Sequence, residues 1–181
     1  MNRRSNSPTV GFTSWVRFAI LALSGPFIAQ AANPTTTVVI IRHAERVSFI
    51  NSDSPLSVKG LRRADGLAYL LDQYHPAALF SSNRIRTQQT LRPLAERLHK
   101  PVNMWDYRQS DGLGRHLKAS YPGQCVIVCW HHDHMEELAR ALGVQGKLPD
   151  WSLFTFNKIW IVTLGQNSCV QFRETCEWGN S

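Results

Sequence analysis

Two stretches of the chain are apolar without alternation. Thr36–Ile41 is a β-branched run and Val126–Trp130 is its counterpart in the second half. Runs of this kind predict strands covered on both faces, as in a parallel sheet flanked by helices. Shorter stretches at Ala77–Ser81, Val102–Trp105, Lys158–Leu164 and Val170–Phe172 predict further strands. Between them the period changes. From about Ser57 to Gln73, Leu61, Ala64, Ala68 and Leu71 recur at helical spacing. A second helix is expected over Thr87–Leu98 despite Pro93, and a third from about Asp133 to Leu142, stopped by Gly143. A glycine-containing loop is expected after Val102–Trp105. Strands alternating with helices predict an α/β fold, a three-layer α/β/α sandwich around a mostly parallel sheet. In such folds reactive groups gather where strands end and helices begin. That rule brings Arg42-His43, Ser81–Arg86 and Trp130–His134 to one edge.

The first 31 residues do not fit this domain. Arg3, Arg4 and Arg17 precede the apolar stretch Phe18–Ala29, which ends in Ala29-Gln30-Ala31, a small-x-small cleavage pattern. The stretch is shorter than the roughly 20 apolar residues that span a bilayer, and Ser24, Gly25 and Pro26 interrupt it. The expectation is a cleaved signal peptide at 1–31, one domain at 32–181 in the periplasm or outside the cell, and no stable membrane insertion after cleavage. The chain of 181 residues carries 20 basic and 13 acidic side chains. Without the three arginines of the signal, 17 basic groups face 13 acidic ones, a modest +4 that suits an anionic substrate and a solvated surface equally. No lysine-rich or aromatic-basic run points to nucleic acid, and no glycine-rich phosphate loop points to nucleoside triphosphates.

Export would also permit disulfides. Cys125 and Cys129 are too far apart along one strand to join each other. Cys169 and Cys176 are expected to pair, with a strand-to-strand bridge from Cys125 or Cys129 as the alternative. No Cys-x-x-Cys motif supports a redox or zinc-ribbon site.

The predicted edge has the composition of a phosphoryl-transfer site. Arg42 and Arg86 can fork around phosphate oxygens, and His43 can present an imidazole nitrogen to phosphorus. A second histidine after Val126–Trp130 can stabilise charge on the equatorial oxygens. The segments themselves read Arg42-His43-Ala44-Glu45-Arg46, then Pro55-Leu56-Ser57-Val58-Lys59-Gly60, then Ser81-Ser82-Asn83-Arg84-Ile85-Arg86-Thr87-Gln88-Gln89-Thr90, then Cys129-Trp130-His131-His132. In that order they resemble the signatures of the histidine phosphatase superfamily, whose fold is phosphoglycerate-mutase-like.

The resemblance implies that His43 accepts the phosphoryl group, that Arg42, Arg86 and a later histidine bind it, and that water hydrolyses the phosphohistidine. It implies no metal and no other cofactor. The second histidine is either His131 or His132, with Trp130 favouring His132. The proton donor is Asp133 or an acid after the third strand, Asp106 or Asp111, while Glu45 orients the pocket or serves in acid–base work. The expected partner is a small phosphorylated molecule, such as a sugar phosphate, and hydrolysis is expected over mutase chemistry. A non-catalytic phosphate-binding protein is the alternative function. A metal site on His131-His132-Asp133-His134 has no supporting ligand cluster in the sequence. His75, His99 and His116 are expected at the surface, Arg62 and Arg63 on a solvated helix face and Arg84 as a loop charge, with an auxiliary substrate contact as the alternative for Arg84. The segments Phe49–Ser54 and Tyr107–Arg115 are expected to border the site as loops and set specificity.

Overall fold

The computed structural model describes residues 35–165 and 169–176. The expected signal peptide lies outside the described residues. A six-stranded sheet in the order β3-β2-β4-β1-β5-β6 forms the centre. Its strands are β1 (Thr36–Arg42), β2 (Ala78–Ser82), β3 (Val102–Trp105), β4 (Cys125–Trp130), β5 (Lys158–Leu164) and β6 (Val170–Cys176). β1, β2, β3 and β4 pair in parallel, whereas β5 runs antiparallel to both of its neighbours. The helices are α1 (Val58–Asp72), α2 (Ile85–Leu98), α3 (Ser110–Ser120) and α4 (Met135–Leu142).

The unbroken apolar character of β1 and β4 has a direct structural cause. Val38, Ile40, Val126 and Val128 pack with Leu113, Leu117, Leu138 and Leu142 of α3 and α4. Their neighbours Val39, Ile41, Ile127 and Cys129 pack with Leu67, Leu71, Leu91 and Leu94 of α1 and α2 on the other face. Successive strand residues point to opposite faces, so two covered faces require every position to be apolar. The expected α/β/α sandwich is the architecture found.

Several expectations are corrected. The stretch after β3 is a 3-10 turn at Tyr107–Gln109 followed by α3, not a loop. Gly112 and Gly114 mask its helical period in the sequence. On α1 the inward face carries Gly60, Ala64, Leu67, Ala68 and Leu71, while Leu61 is exposed. His116 is not a plain surface residue: its ring stacks on Trp105 at 5.0 Å between centroids. All four cysteines are free. Cys169 and Cys176 flank the extended strand β6, which separates them by roughly 20 Å at ~3.3 Å per residue, so no short loop brings them together.

Candidate active site

Strand register assembles the site. Arg42 of β1 lies beside Trp130 of β4, and Ser81 of β2 beside Cys129. The next residue on each strand tip is therefore His43, His131 and Ser82. The parallel pairing continues one step further through a bond from the His43 amide to the Trp130 carbonyl at 3.1 Å. The His43 and His131 rings lie 5.7 Å apart between centroids. Both histidines are almost fully buried.

Hydrogen bonds fix the tautomers. His43 Nδ1 is 2.8 Å from the Ala44 carbonyl oxygen. A carbonyl only accepts, so Nδ1 carries the proton and Nε2 keeps its lone pair. Arg86 Nη2 stands 3.0 Å from His131 Nδ1. A guanidinium only donates, so His131 Nδ1 accepts and Nε2–H donates to Ser82 Oγ at 2.7 Å. Ser82 Oγ in turn lies 2.8 Å from Thr87 Oγ1, which reaches the Arg84 carbonyl at 2.7 Å. Burial pushes the His43 imidazole down to about 3, with the Ala44 carbonyl opposing and Arg86, Arg42 and Arg46 reinforcing the fall. Burial, then the charges of Arg86 and His43, pushes His131 down to about 2. Both rings are neutral near pH 7.

Four arginines crowd this edge with little neutralisation. Arg46, Arg84 and Arg86 line a cavity of 210 Å³ together with Ser52, Tyr107, His131 and Asp133. Arg42, buried under Phe156 at 4.2 Å, donates through Nη1 to the Ser152 and Thr155 carbonyls at 2.8 and 3.0 Å. Arg86 donates through Nη1 to the Ser52 carbonyl at 2.7 Å. The Nε atoms of Arg42, Arg46 and Arg86 are buried without a hydrogen-bond partner among the described residues. Burial, then the charge of Arg46, lowers the guanidinium of Arg42 to about 10, and the same two causes act on Arg86. A cluster of buried cations held by carbonyls rather than carboxylates is arranged for an anion.

The remaining sequence candidates separate. His132 sits in the turn past β4, partly exposed, with Nδ1 3.8 Å from an Asp133 carboxylate oxygen. Burial, then the charge of Arg42, lowers its pKa. The strand ends at Trp130, and His131, not His132, takes the register position beside His43. The Trp130 indole points into the layer of α3 and α4, where its Nε1 donates to Ser110 Oγ at 3.0 Å.

Among the carboxylates, Asp133 lines the cavity. Asp106 caps the 3-10 turn by accepting from the Arg108 amide, and Asp111 pairs with Arg115 on the exposed side of α3. Glu45 takes two bonds from Arg63, at 2.9 and 3.0 Å, and a third contact from Lys59 at 3.2 Å. Burial, the largest single cause, would raise its carboxyl pKa, but the Arg63 bond, a bond to its own backbone, the Arg63 charge and the Lys59 bond together outweigh it and hold the group below the ordinary value. Arg63 is thus half of a half-buried ion pair, not part of a solvated face. The motif residues Gln89 and Thr90 position loops: Gln89 accepts from the Leu56 amide and Thr90 from the Ala44 amide, at 2.8 and 3.0 Å.

Arg46, Ser52, Ser82 and Tyr107 were not singled out in the sequence. Arg46 lies four residues past Arg42, within the quoted motif, and Ser82 ends the strand next to His131. Ser52 and Tyr107 lie within the two segments expected to border the site, and nothing in the sequence sets them apart from their neighbours there. The described residues gather no group of three or more His, Cys, Asp or Glu side chains able to hold a metal. No helix among them is long and apolar enough to cross a membrane.

A buried histidine at the tip of the first strand of a mostly parallel sheet, ringed by arginines and a second histidine, defines the phosphoglycerate-mutase-like class. The family model of the histidine phosphatase superfamily (branch 1) matches residues 38–110, from β1 to the start of α3. The match covers the segment that carries His43, Glu45 and Arg86. No curated protein matches it by sequence. Its fold is similar to that of mycobacterial glucosyl-3-phosphoglycerate phosphatase, with a TM-score of 0.61 at 16% identity over 81% of this chain and 100% of that one. It is also similar to the protein histidine phosphatase SixA complexed with tungstate, with a TM-score of 0.61 at 22% identity over 78% of this chain and 97% of that one. A phosphoserine phosphatase mutant from Entamoeba histolytica in complex with phosphoserine gives a TM-score of 0.59 at 11% identity, over 76% of this chain and 94% of that one.

Proposed function

We propose that the protein hydrolyses small phosphomonoesters, sugar phosphates among them, through a phosphohistidine on His43 and without a metal ion. The observation that carries this reading is the contact of Arg86 with His131 beside His43, whose Nε2 keeps a lone pair next to a cationic pocket. The similar folds include phosphatases for a glucosyl phosphoglycerate, phosphohistidine protein and phosphoserine, which supports the reaction class.

In the proposed reaction His43 Nε2 attacks phosphorus while the bond to the ester oxygen breaks. The departing alkoxide takes a proton from the Asp133 carboxyl group. Arg42, Arg46 and Arg86 hold the equatorial oxygens as charge redistributes, and His131, accepting from Arg86, orients that guanidinium. Water then attacks the phosphohistidine and gives a proton to the Asp133 carboxylate. The P–N bond breaks, and inorganic phosphate leaves with His43 restored.

Incubation with a labelled phosphomonoester followed by an alkaline quench should leave acid-labile phosphate on the protein. His43→Ala should abolish both label and turnover, and a chelator should leave turnover intact. Label that survives His43→Ala overturns the nucleophile assignment. Label or phosphate binding without release of inorganic phosphate supports a non-catalytic binding protein instead. We further propose that residues 1–31 direct export and are then removed; the intact mass of protein recovered from outside the cytoplasm should correspond to a chain starting at Ala32.

A further inference from the structure

Two loops at the mouth of the cationic cavity carry an unusual surface. Ten large apolar side chains stand exposed among the described residues, and five belong to these loops: Val47, Phe49 and Ile50 on one, Leu153 and Phe154 on the other. Ile50 is 99% exposed and Phe154 78%. The loops meet through Phe49 and Phe154, whose ring centroids are 6.0 Å apart. Scattered exposed apolar residues need no explanation, whereas a contiguous group beside a charged pocket marks a contact surface.

Four polar side chains of the first loop are turned to backbone amides. Ser54 Oγ accepts from the Ser48 amide at 2.9 Å, and Ser48 Oγ from the amides of Ile50 and Asn51 at 3.2 and 3.3 Å. Asn51 accepts from the Asp53 amide, and Asp53 from the Ile85 amide at the start of α2. The loop therefore presents its apolar groups outward and consumes its hydrogen-bonding groups on itself.

Each loop is also tied to an arginine of the site. Arg86 holds the Ser52 carbonyl, and Arg42 holds those of Ser152 and Thr155. Arg46, which lines the cavity, lies over the Phe49 ring at 4.6 Å. The rim and the cationic pocket are parts of one surface.

We propose that this rim receives the alcohol half of the ester, so that the preferred substrates are phosphomonoesters of apolar alcohols, alkyl or aryl, rather than of polyols. The inference rests on the phosphatase reading above and narrows it. A polyol placed here would lose water from its hydroxyls and find few free partners on the rim. An alkyl chain would gain roughly fourfold in affinity for each methylene buried.

The test is a series of ethyl, butyl, hexyl and phenyl phosphates against glycerol phosphate and glucose 6-phosphate, with wild-type protein and Ile50→Ser/Phe154→Ser. KM should fall about two- to fourfold per methylene along the alkyl series, with kcat changing less. The double variant, whose changes are at solvent-exposed positions, should flatten that dependence. Comparison of hexyl with phenyl phosphate distinguishes a chain from a ring. Calorimetric binding of non-hydrolysable alkylphosphonates separates this inference from the reaction it rests on. Affinity that rises with chain length in the absence of turnover supports the rim and sinks the phosphatase reading. Turnover with a flat series, or a preference for glucose 6-phosphate over hexyl phosphate, overturns the rim and leaves the phosphatase reading standing.

Discussion

At the scale of single residues, the two buried histidines couple the site to the folding equilibrium. In an unfolded chain each imidazole titrates near 6.5, whereas the fold lowers His43 to about 3 and His131 to about 2. Both folded values lie below the unfolded one, so the unfolded state binds protons first as acid is added. The stability associated with neutral rings is therefore complete above about pH 6.5 and is lost as pH falls toward the folded values. The urea midpoint of the protein should drop steadily between pH 6.5 and 4, and His43→Asn should make that drop shallower. An equally steep profile in the variant would show that other groups cause it. Ser82 belongs to the same argument. By accepting from His131 Nε2 it keeps Nδ1 turned toward Arg86, a role that its side chain plays through the ring and not by touching the reacting phosphorus.

At the scale of elements, the loop after β1 and the first turn of α1 are locked together. Ser57 caps α1 by accepting from the Gly60 amide at 3.1 Å, and its own amide donates to the Glu45 carbonyl at 2.8 Å. A Cβ on Gly60 would stand 2.1 Å from that carbonyl oxygen, which belongs to backbone and can yield only by shifting the chain. Gly60→Ala should therefore cost about 1–3 kcal/mol in chemical denaturation. Because the displaced segment adjoins His43, it should also reduce turnover more than Leu61→Ala on the exposed face of the same helix.

The elements that were legible in the sequence are those whose pattern has one physical cause. β1 and β4 are apolar throughout because both faces are covered, and α4 ends at Gly143 because the cap adopts φ 105°. The elements and residues that were not legible depend on distant partners. α3 hides behind two glycines, and Arg63 is explained only by Glu45 eighteen positions earlier. The choice between His131 and His132 is set by the register of β4 against β1, which local sequence does not encode.

At the scale of the whole molecule, the arginine cluster opposes folding until an anion arrives. Arg42, Arg46, Arg84 and Arg86 repel one another across a small volume, and Asp53 and Asp133 only partly offset them. A ligand that binds the folded state alone stabilises it in proportion to the logarithm of its concentration. At about 100 times Kd this amounts to roughly 2.7 kcal/mol. For a domain of this size that should raise Tm by about 5–10 °C. Thermal scans with inorganic phosphate should show the rise, and it should be absent with chloride at matched ionic strength. Arg86→Ala should remove most of it, and an undiminished shift in that variant would place the anion elsewhere.

The cavity lined by Arg46, Arg84 and Arg86 has a consequence for how the protein behaves in its surroundings. On the proposed reading, its cations would grip the oxygens that an ester and the free dianion have in common. Each turnover therefore leaves behind a competitor for the same seat, and a phosphate-rich medium should hold the enzyme back. As that reservoir is depleted the restraint should lift, and turnover should rise as external phosphate falls.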